Sequence, residues 1–493
     1  MTHSFPRDKR PACPSLFRLH RDGPVVRCII AMILACAIPA VAQVDPTDDD
    51  LQPGRRRPGQ GQPGEAAPPP PPPAPPPGTA AKTETKEPDR YLAITGGQVF
   101  TVSGPILRNA DILIKNGKIL QIGHGLTIPE GAERLDATGH RVYPGLIAVQ
   151  SQGVIGTGDP SDSTNMFTLN TVAALAAGIT SALGDNVVGK VMFGRVDDMV
   201  VRRDVFVNLS YSTRNPSGRR SLRESFDRLR QHLREVEAHE EAKRTDPTAK
   251  APDDRWIRGE HERNLKLLKG ESIALFTSSN AAELVQICNL VTAYRLRAVI
   301  LGADEAWTVA PHLARAGVGA IVTPRRRSDP DDRLLRESGS TIRNASILHS
   351  HGVPVAFVPI GSLFGPGSAI SFGGLGGRDL LHIPMEAAFA VRGGLPEDAA
   401  IRGLTLDAAR LLGIDKRVGS IEVGKDGDLI VVDGDLLHYQ TLVRWTVVNG
   451  HVMYDKEKET LYSHIRPDGD QDAPAPTDYW PRRLGDPIPE PGP

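Results

Sequence analysis

Cysteine is nearly absent from this chain of 493 residues: there are four, and only Cys288 lies beyond residue 42. That excludes an intramolecular disulfide framework for everything after that point, so the fold must rest on its own core. Cys288 itself has apolar neighbours at helical spacing in Leu284-Val285-Gln286-Ile287-Cys288, the setting of a small buried hydrophobe rather than a nucleophile. Aromatic residues are scarce, at 5%, and neither charge sign is in excess, with 58 basic against 59 acidic side chains. Such a balance creates no field to draw nucleic acid or an anionic membrane, and neither is expected as a partner. Apolar runs long enough to span a bilayer are missing too, so no stable membrane span is expected once the N-terminal segment is removed.

That segment reads as a targeting signal. Basic residues up to Arg27 precede an apolar run over 28–38, and the small residues Ala40 and Ala42 flank Val41. Residues 1–42 are therefore expected to be a secretory signal peptide cleaved after Ala42, with export to the bacterial periplasm. A lipid anchor on Cys36 is the weaker reading, because Leu34 is atypical just before Ala35. Residues 43–90, with their polyproline run, cannot bury enough apolar surface to fold and read as an extended linker. The proline-rich stretch 468–493 reads as an irregular tail.

Between these flanks two kinds of pattern alternate. From Tyr91 short strand signals are separated by turns, and Asn116-Gly117 between two apolar runs predicts a tight hairpin. The same style returns near Leu429–Val432 and at Val448-Asn449-Gly450-His451, which suggests one small β domain assembled from residues 91–143 and 417–456. The middle, residues 144–416, alternates strand-like runs with helical patterns, the mark of βα units around a parallel sheet. Candidate strands are 146–152, 179–184, 205–209, 273–277, 298–301, 320–323 and 355–360. A helical insertion at about 220–268 carries the stripe Leu222, Phe226, Leu229, Leu233 and Val236, expected to lie on the barrel flank.

The succession Pro144-Gly145-Leu146-Ile147, Ala177-Gly178-Ile179-Thr180, Leu404-Thr405-Leu406-Asp407-Ala408-Ala409 and Gly419-Ser420-Ile421-Glu422-Val423-Gly424-Lys425-Asp426-Gly427-Asp428-Leu429 resembles the amidohydrolase superfamily, nearest its imidazolonepropionase-like and related bacterial members. The resemblance spans roughly Tyr91 to Asp455. It implies an α/β fold: a distorted (β/α)8 TIM-type barrel plus a small composite β-sandwich built from both ends of the chain. It also implies zinc or another divalent metal held at the C-terminal ends of barrel strands, where the ion makes hydroxide from water.

The ligand positions that the resemblance implies are substituted. Where the family writes Asp-x-His-x-His after Pro-Gly-Leu-Ile, this chain has Ala148-Val149-Gln150-Ser151-Gln152. Residues i and i+2 of a strand share a side, so Gln150 and Gln152 keep the geometry of a histidine pair without its chemistry. The fifth-strand position falls near Thr277-Ser278-Ser279, the sixth at Gly302, and the last strand offers Ile360 in place of an aspartate. The one His-x-His in the chain, His349-Ser350-His351, follows a helical stretch and reads as a helix C-terminus on the opposite, stability face. No metal or other cofactor is expected.

What remains at the expected mouth is Asp185, the best-placed carboxylate and the candidate catalytic residue, with Asn186, Ser278, Asp304 and Ser362 as further pocket residues. Arg325-Arg326-Arg327 could meet an anionic ligand or form a solvated face, and the glycine-rich 373–377 reads as a mouth loop. Whether the chain is an enzyme stays open. One reading is a degenerate, metal-free homologue acting as a binding or partner subunit, with a small molecule in the barrel mouth and a homo- or hetero-oligomeric assembly. The other is an active hydrolase of carbon–nitrogen bonds, in dipeptides or non-peptide substrates, using non-standard ligands.

Overall fold

The computed structural model describes residues 89–151, 153–359 and 382–458. The signal segment, most of the linker, the tail, Gln152, Ile360, Ser362 and the 373–377 loop lie outside the described residues.

Local sequence sets the small β unit. Strand β1 (Tyr91–Phe100) pairs antiparallel with β2 (Ile106–Lys115), which turns at Asn116-Gly117 into β3 (Lys118–Gly123). Both turn residues have positive φ, 47° and 81°, as the expected two-residue hairpin demands. Strands β4 (Glu133–Asp136) and β5 (Arg141–Pro144) run parallel beside β1.

The barrel strands follow. They are β6 (Leu146–Ser151), β7 (Ile179–Gly184), β8 (Val187–Lys190), β9 (Val200–Arg202), β10 (Phe206–Leu209), β11 (Ile273–Ser278), β12 (Ala298–Gly302), β13 (Gly319–Val322) and β14 (Val355–Phe357). The chain then returns through β15 (Leu429–Val432), β16 (Val443–Val448) and β17 (His451–Asp455).

The two ends of the chain meet in one eight-stranded sheet of order β17-β16-β15-β5-β1-β2-β3, with β4 beside β1. The seam is β5 against β15, Tyr143 opposite Ile430. Alternation divides the faces of this sheet. Val142, Leu429 and Val431 join Leu92, Ile112 and Ile114 in the sheet's own core, whereas Tyr143, Ile430 and Val432 face the barrel core. The composite β unit expected from the two ends is thus present.

In the barrel, β10 to β14 form a consecutive parallel sheet, and β6 pairs parallel with β7. The helix Ala281–Tyr294 lies between β11 and β12, Ala310–Ala316 between β12 and β13, and Asn344–Ser350 between β13 and β14. Among the described residues seven strands take the barrel positions rather than eight. After β7 the chain turns at Asp185-Asn186 and comes back antiparallel as β8, then β9. A parallel crossover needs a dozen or more residues, usually helical, and the tight turn forecloses one here. Asn186 bridges the resulting gap: its Oδ1 accepts from the Phe206 N–H at 2.7 Å and its carbonyl from Val205 at 3.2 Å. On the other side, Glu397–Leu404 and Leu406–Leu412 lie against both β14 and β6.

Gly145 shows why the motif at the barrel start carries glycine. A Cβ there would sit 2.1 Å from Thr180 Oγ1 and 2.2 Å from its Cγ2, within the β6–β7 contact. Gly145→Ala is expected to destabilise by about 1–3 kcal/mol through overpacking, read as a lower urea midpoint; an unchanged midpoint would contradict the close approach.

A buried ion cluster ties the barrel to the β sheet. Lys190, at the end of β8, is fully buried and pairs with both Asp426 (2.9 Å) and Asp428. Asp426 also pairs with Lys118 and with Arg417 at 3.0 Å, and Arg417 reaches Asp198 at 2.8 Å. The second oxygen of Asp428 accepts from the Asn449 N–H at 2.9 Å. Burial opposes ionisation of both carboxyls. At Asp426 it is outweighed by Lys190, Lys118 and Arg417, which hold the group below the usual range; at Asp428 burial prevails, with Asp426 adding to it, and the group lies above that range.

The helical insertion is anchored by Phe226, which is fully buried and packs on Tyr294 in a tilted pair with ring centroids 4.9 Å apart. Its long helix, Pro216–Thr245, has Asn215 as N-cap, accepting from the Gly218 N–H at 2.9 Å.

Candidate functional site

A cavity of about 280 Å³ opens at the C-terminal ends of the barrel strands. Strands of both barrel sheets line it, so the two sheets enclose a common lumen. Pleating decides which residues face it. On β11, Leu275 and Thr277 point inward, while Phe276 and Ser278 are turned away and buried. On β12, opposite Thr277, the inward residue is Leu301. Phe206 and Asn208 line the cavity from β10, and Ile321 from β13. On β6 both Val149 and Gln150 do so, because the register with β7 slips between Ala148 and Ser151. A bulge of this kind re-aims side chains.

Of the residues expected at the site, the structure brings together Gln150, Asp185 and Asn186. Three are placed elsewhere. Ser278 faces outward and donates to Glu283 Oε2 at 3.0 Å, in a knot where Glu283 Oε1 also accepts from Ser212 and from Thr213. Burial would raise the Glu283 carboxyl, but these hydrogen bonds hold it below the usual range. Gly302 lies one step past the inward Leu301, and a Cβ on it would meet Ser279 Oγ at 3.0 Å. Asp304 is buried beside Arg326 at 3.3 Å; burial pushes its carboxyl up against the pull of that arginine. The fifth-strand position, expected near Thr277-Ser278-Ser279, falls at Thr277; Leu301 and Asn208 were missed, and strand alternation was the signal that could have found Leu301.

The arginine run is largely committed. Arg325 grips the fully buried Glu386 at 2.6 Å, and Arg326 holds Asp304. The His349–His351 pair sits at the end of the helix Asn344–Ser350, where His351 Nδ1 lies 2.9 Å from the Ile347 carbonyl. Cys288 is buried and its thiol is pushed up to about 11 by desolvation, an inert state.

Asp185 follows β7 in the left-handed region (φ 50°), a conformation that aspartate tolerates better than most residues. Its side chain is exposed toward the cavity. Gln150 Oε1 is buried and has no hydrogen-bond partner among the described residues. A zinc site needs three or four imidazole, thiolate or carboxylate donors. The lining described here supplies one carboxylate, three carboxamides and a hydroxyl, set among aliphatic and aromatic side chains. These residues do not fit the metal implied by the resemblance. Among the described residues, no three His, Cys, Asp or Glu side chains stand together so as to hold a metal ion, and no helix is long and apolar enough to cross a membrane.

Residues 256–465 match the sequence model of the amidohydrolase family. A dihydroorotase of Citrifermentans bemidjiense is 48% identical over 56 residues, which is 11% of this chain and 13% of that protein. A 5-methylthioadenosine/S-adenosylhomocysteine deaminase of Symbiobacterium thermophilum is 27% identical over 154 residues, covering 26% of this chain and 35% of its own. This chain therefore spans only a minor part of the curated relatives it matches. The solved structure of an amidohydrolase from Thermotoga maritima superposes with a TM-score of 0.57 at 21% identity, covering 74% of this chain and all of that one. That likeness concerns the fold.

Proposed function

We infer that this chain, which belongs to the amidohydrolase superfamily, is an exported barrel that has given up the superfamily's metal and works as a binding or partner subunit. The observation that carries this reading is the cavity lining: at the strand ends stand Gln150, Thr277 and Leu301, none of which supplies a zinc-type donor. Fold does not fix function; the side chains of the site do. The export half rests on the N-terminal pattern of basic residues, apolar run and Ala40-Val41-Ala42.

The competing reading is a hydrolase of carbon–nitrogen bonds. What favours it is Asp185, a carboxylate that lines the cavity together with Gln150 and is a residue type that serves as a general base. Both are tested on protein purified from the exported fraction of its host, by N-terminal sequencing, elemental analysis and hydrolysis assays against amides, lactams and dipeptides. The binding-subunit reading expects a mature chain beginning at Gln43, no stoichiometric metal and no turnover. Turnover abolished by Asp185→Asn would establish the hydrolase instead, and retention of residues 1–42 would overturn export.

A further inference from the structure

The cavity is electrically lopsided. Among the described residues Asp185 is the one charged side chain in the lining, and none of the described lysines, arginines or histidines shares it. No ion pair or hydrogen bond to its side chain is formed among the described residues. The arginines of the 325–326 stretch are held by Glu386 and Asp304 and are not its counter-ions.

A second, independent observation is Gln150 Oε1, a buried acceptor to which no group among the described residues donates. Leaving such a group unpaired costs free energy that a ligand N–H would recover. Around these two acceptors the wall combines the apolar Leu183, Phe206, Leu275 and Leu301 with the polar Asn186, Asn208 and Thr277. The volume, about 280 Å³, is at the small end for ligand pockets.

We propose that the barrel mouth is a receptor for a small organic cation, an amine with an apolar body, whose ammonium pairs with Asp185 and donates to Gln150 Oε1. The proposal rests on the metal-free binding reading above. It assigns a chemical class to that ligand: an anion would meet an unopposed carboxylate, and a neutral alcohol would leave that charge unused.

The test uses three probes of one shape on the purified full-length mature chain: cyclohexylammonium, cyclohexanol and cyclohexanecarboxylate, titrated at low ionic strength by calorimetry and ligand-observed NMR. The ammonium is expected to bind roughly tenfold or more tightly than the alcohol, and the carboxylate not at all. Asp185→Asn removes the charge while keeping a residue that tolerates the left-handed backbone, and melting curves confirm its fold. It is expected to weaken ammonium binding about tenfold or more and to leave the alcohol unchanged. Leu301→Trp, filling the cavity, is expected to abolish binding of both.

Equal affinity for alcohol and ammonium, or no effect of Asp185→Asn, overturns the cation while the metal-free receptor stands. Ammonium binding that survives Leu301→Trp overturns the location, and absence of ammonium binding overturns the proposal outright. Stoichiometric zinc in the same preparation would instead bring down the reading on which it rests.

Discussion

Replacing Lys190 by methionine is expected to cost roughly 3–5 kcal/mol of folding stability, measured by urea denaturation. The side chain is fully buried, and it faces Asp426 and Asp428, which are themselves almost wholly buried. Without the ammonium, Asp426 keeps Lys118 and Arg417, but Asp428 keeps only the Asn449 N–H. A buried carboxylate stripped of its cation is among the costliest defects a core can hold. The variant should then prefer Asp428 protonated.

The sign of the pH dependence follows. In the variant the folded pKa of Asp428 would lie further above its unfolded value. The folded state then binds the proton that the unfolded state releases, and the deficit grows as pH rises from the ordinary carboxylate range toward that folded pKa. Adding Asp428→Asn to Lys190→Met should recover part of the loss and flatten that dependence, as expected for residues in one network. A deficit below about 1 kcal/mol, or one independent of pH, would show that the cluster does not hold the barrel to the β sheet.

Phe226→Ala is expected to cost roughly 3–5 kcal/mol by leaving a cavity where a fully buried ring now packs on Tyr294. The same helix sends Asp227 to the Tyr294 hydroxyl at 2.8 Å and buries Leu222 and Leu229 alongside. If this contact makes the helical arm part of the barrel, the variant should unfold at lower urea and be cut faster by protease around residues 246–258. A loss under about 1 kcal/mol with unchanged cleavage would make the arm a peripheral attachment.

Much of the architecture was legible because local chemistry and global fold agree. Asn116-Gly117 and Asn449-Gly450 each turn a hairpin with both residues at positive φ. The apolar runs at Ile179–Gly184 and Ala298–Gly302 became strands close to their expected bounds. The antiparallel β8–β9 excursion was not legible, because Val187–Lys190 reads like any short apolar run and its direction is set by the turn at Asp185.

The site was legible by residue type more than by orientation. Gln150, Asp185 and Asn186 could be placed from the motif and the strand ends. Choosing between Thr277 and Ser278, or Leu301 and Gly302, required the phase of the pleat, and a one-residue error in phase moves a side chain to the other face. The ion cluster was hidden for another reason. Lys190 and Asp428 are 238 residues apart, and each is a charged residue whose ordinary place is the surface.

The central claim is that the barrel lost its metal while keeping its architecture. Elemental analysis of the purified wild-type chain, beside the Gln150→His/Gln152→His variant dialysed against zinc, tests it most directly. The account predicts no stoichiometric metal in the wild type. It predicts at most weak zinc, removed by dialysis, in the variant, because only Asp185 is there to join the two histidines and the facing positions Thr277 and Leu301 add no zinc-type donor. One tightly held zinc per wild-type chain, lost on replacing Gln150 or Asp185, would contradict it.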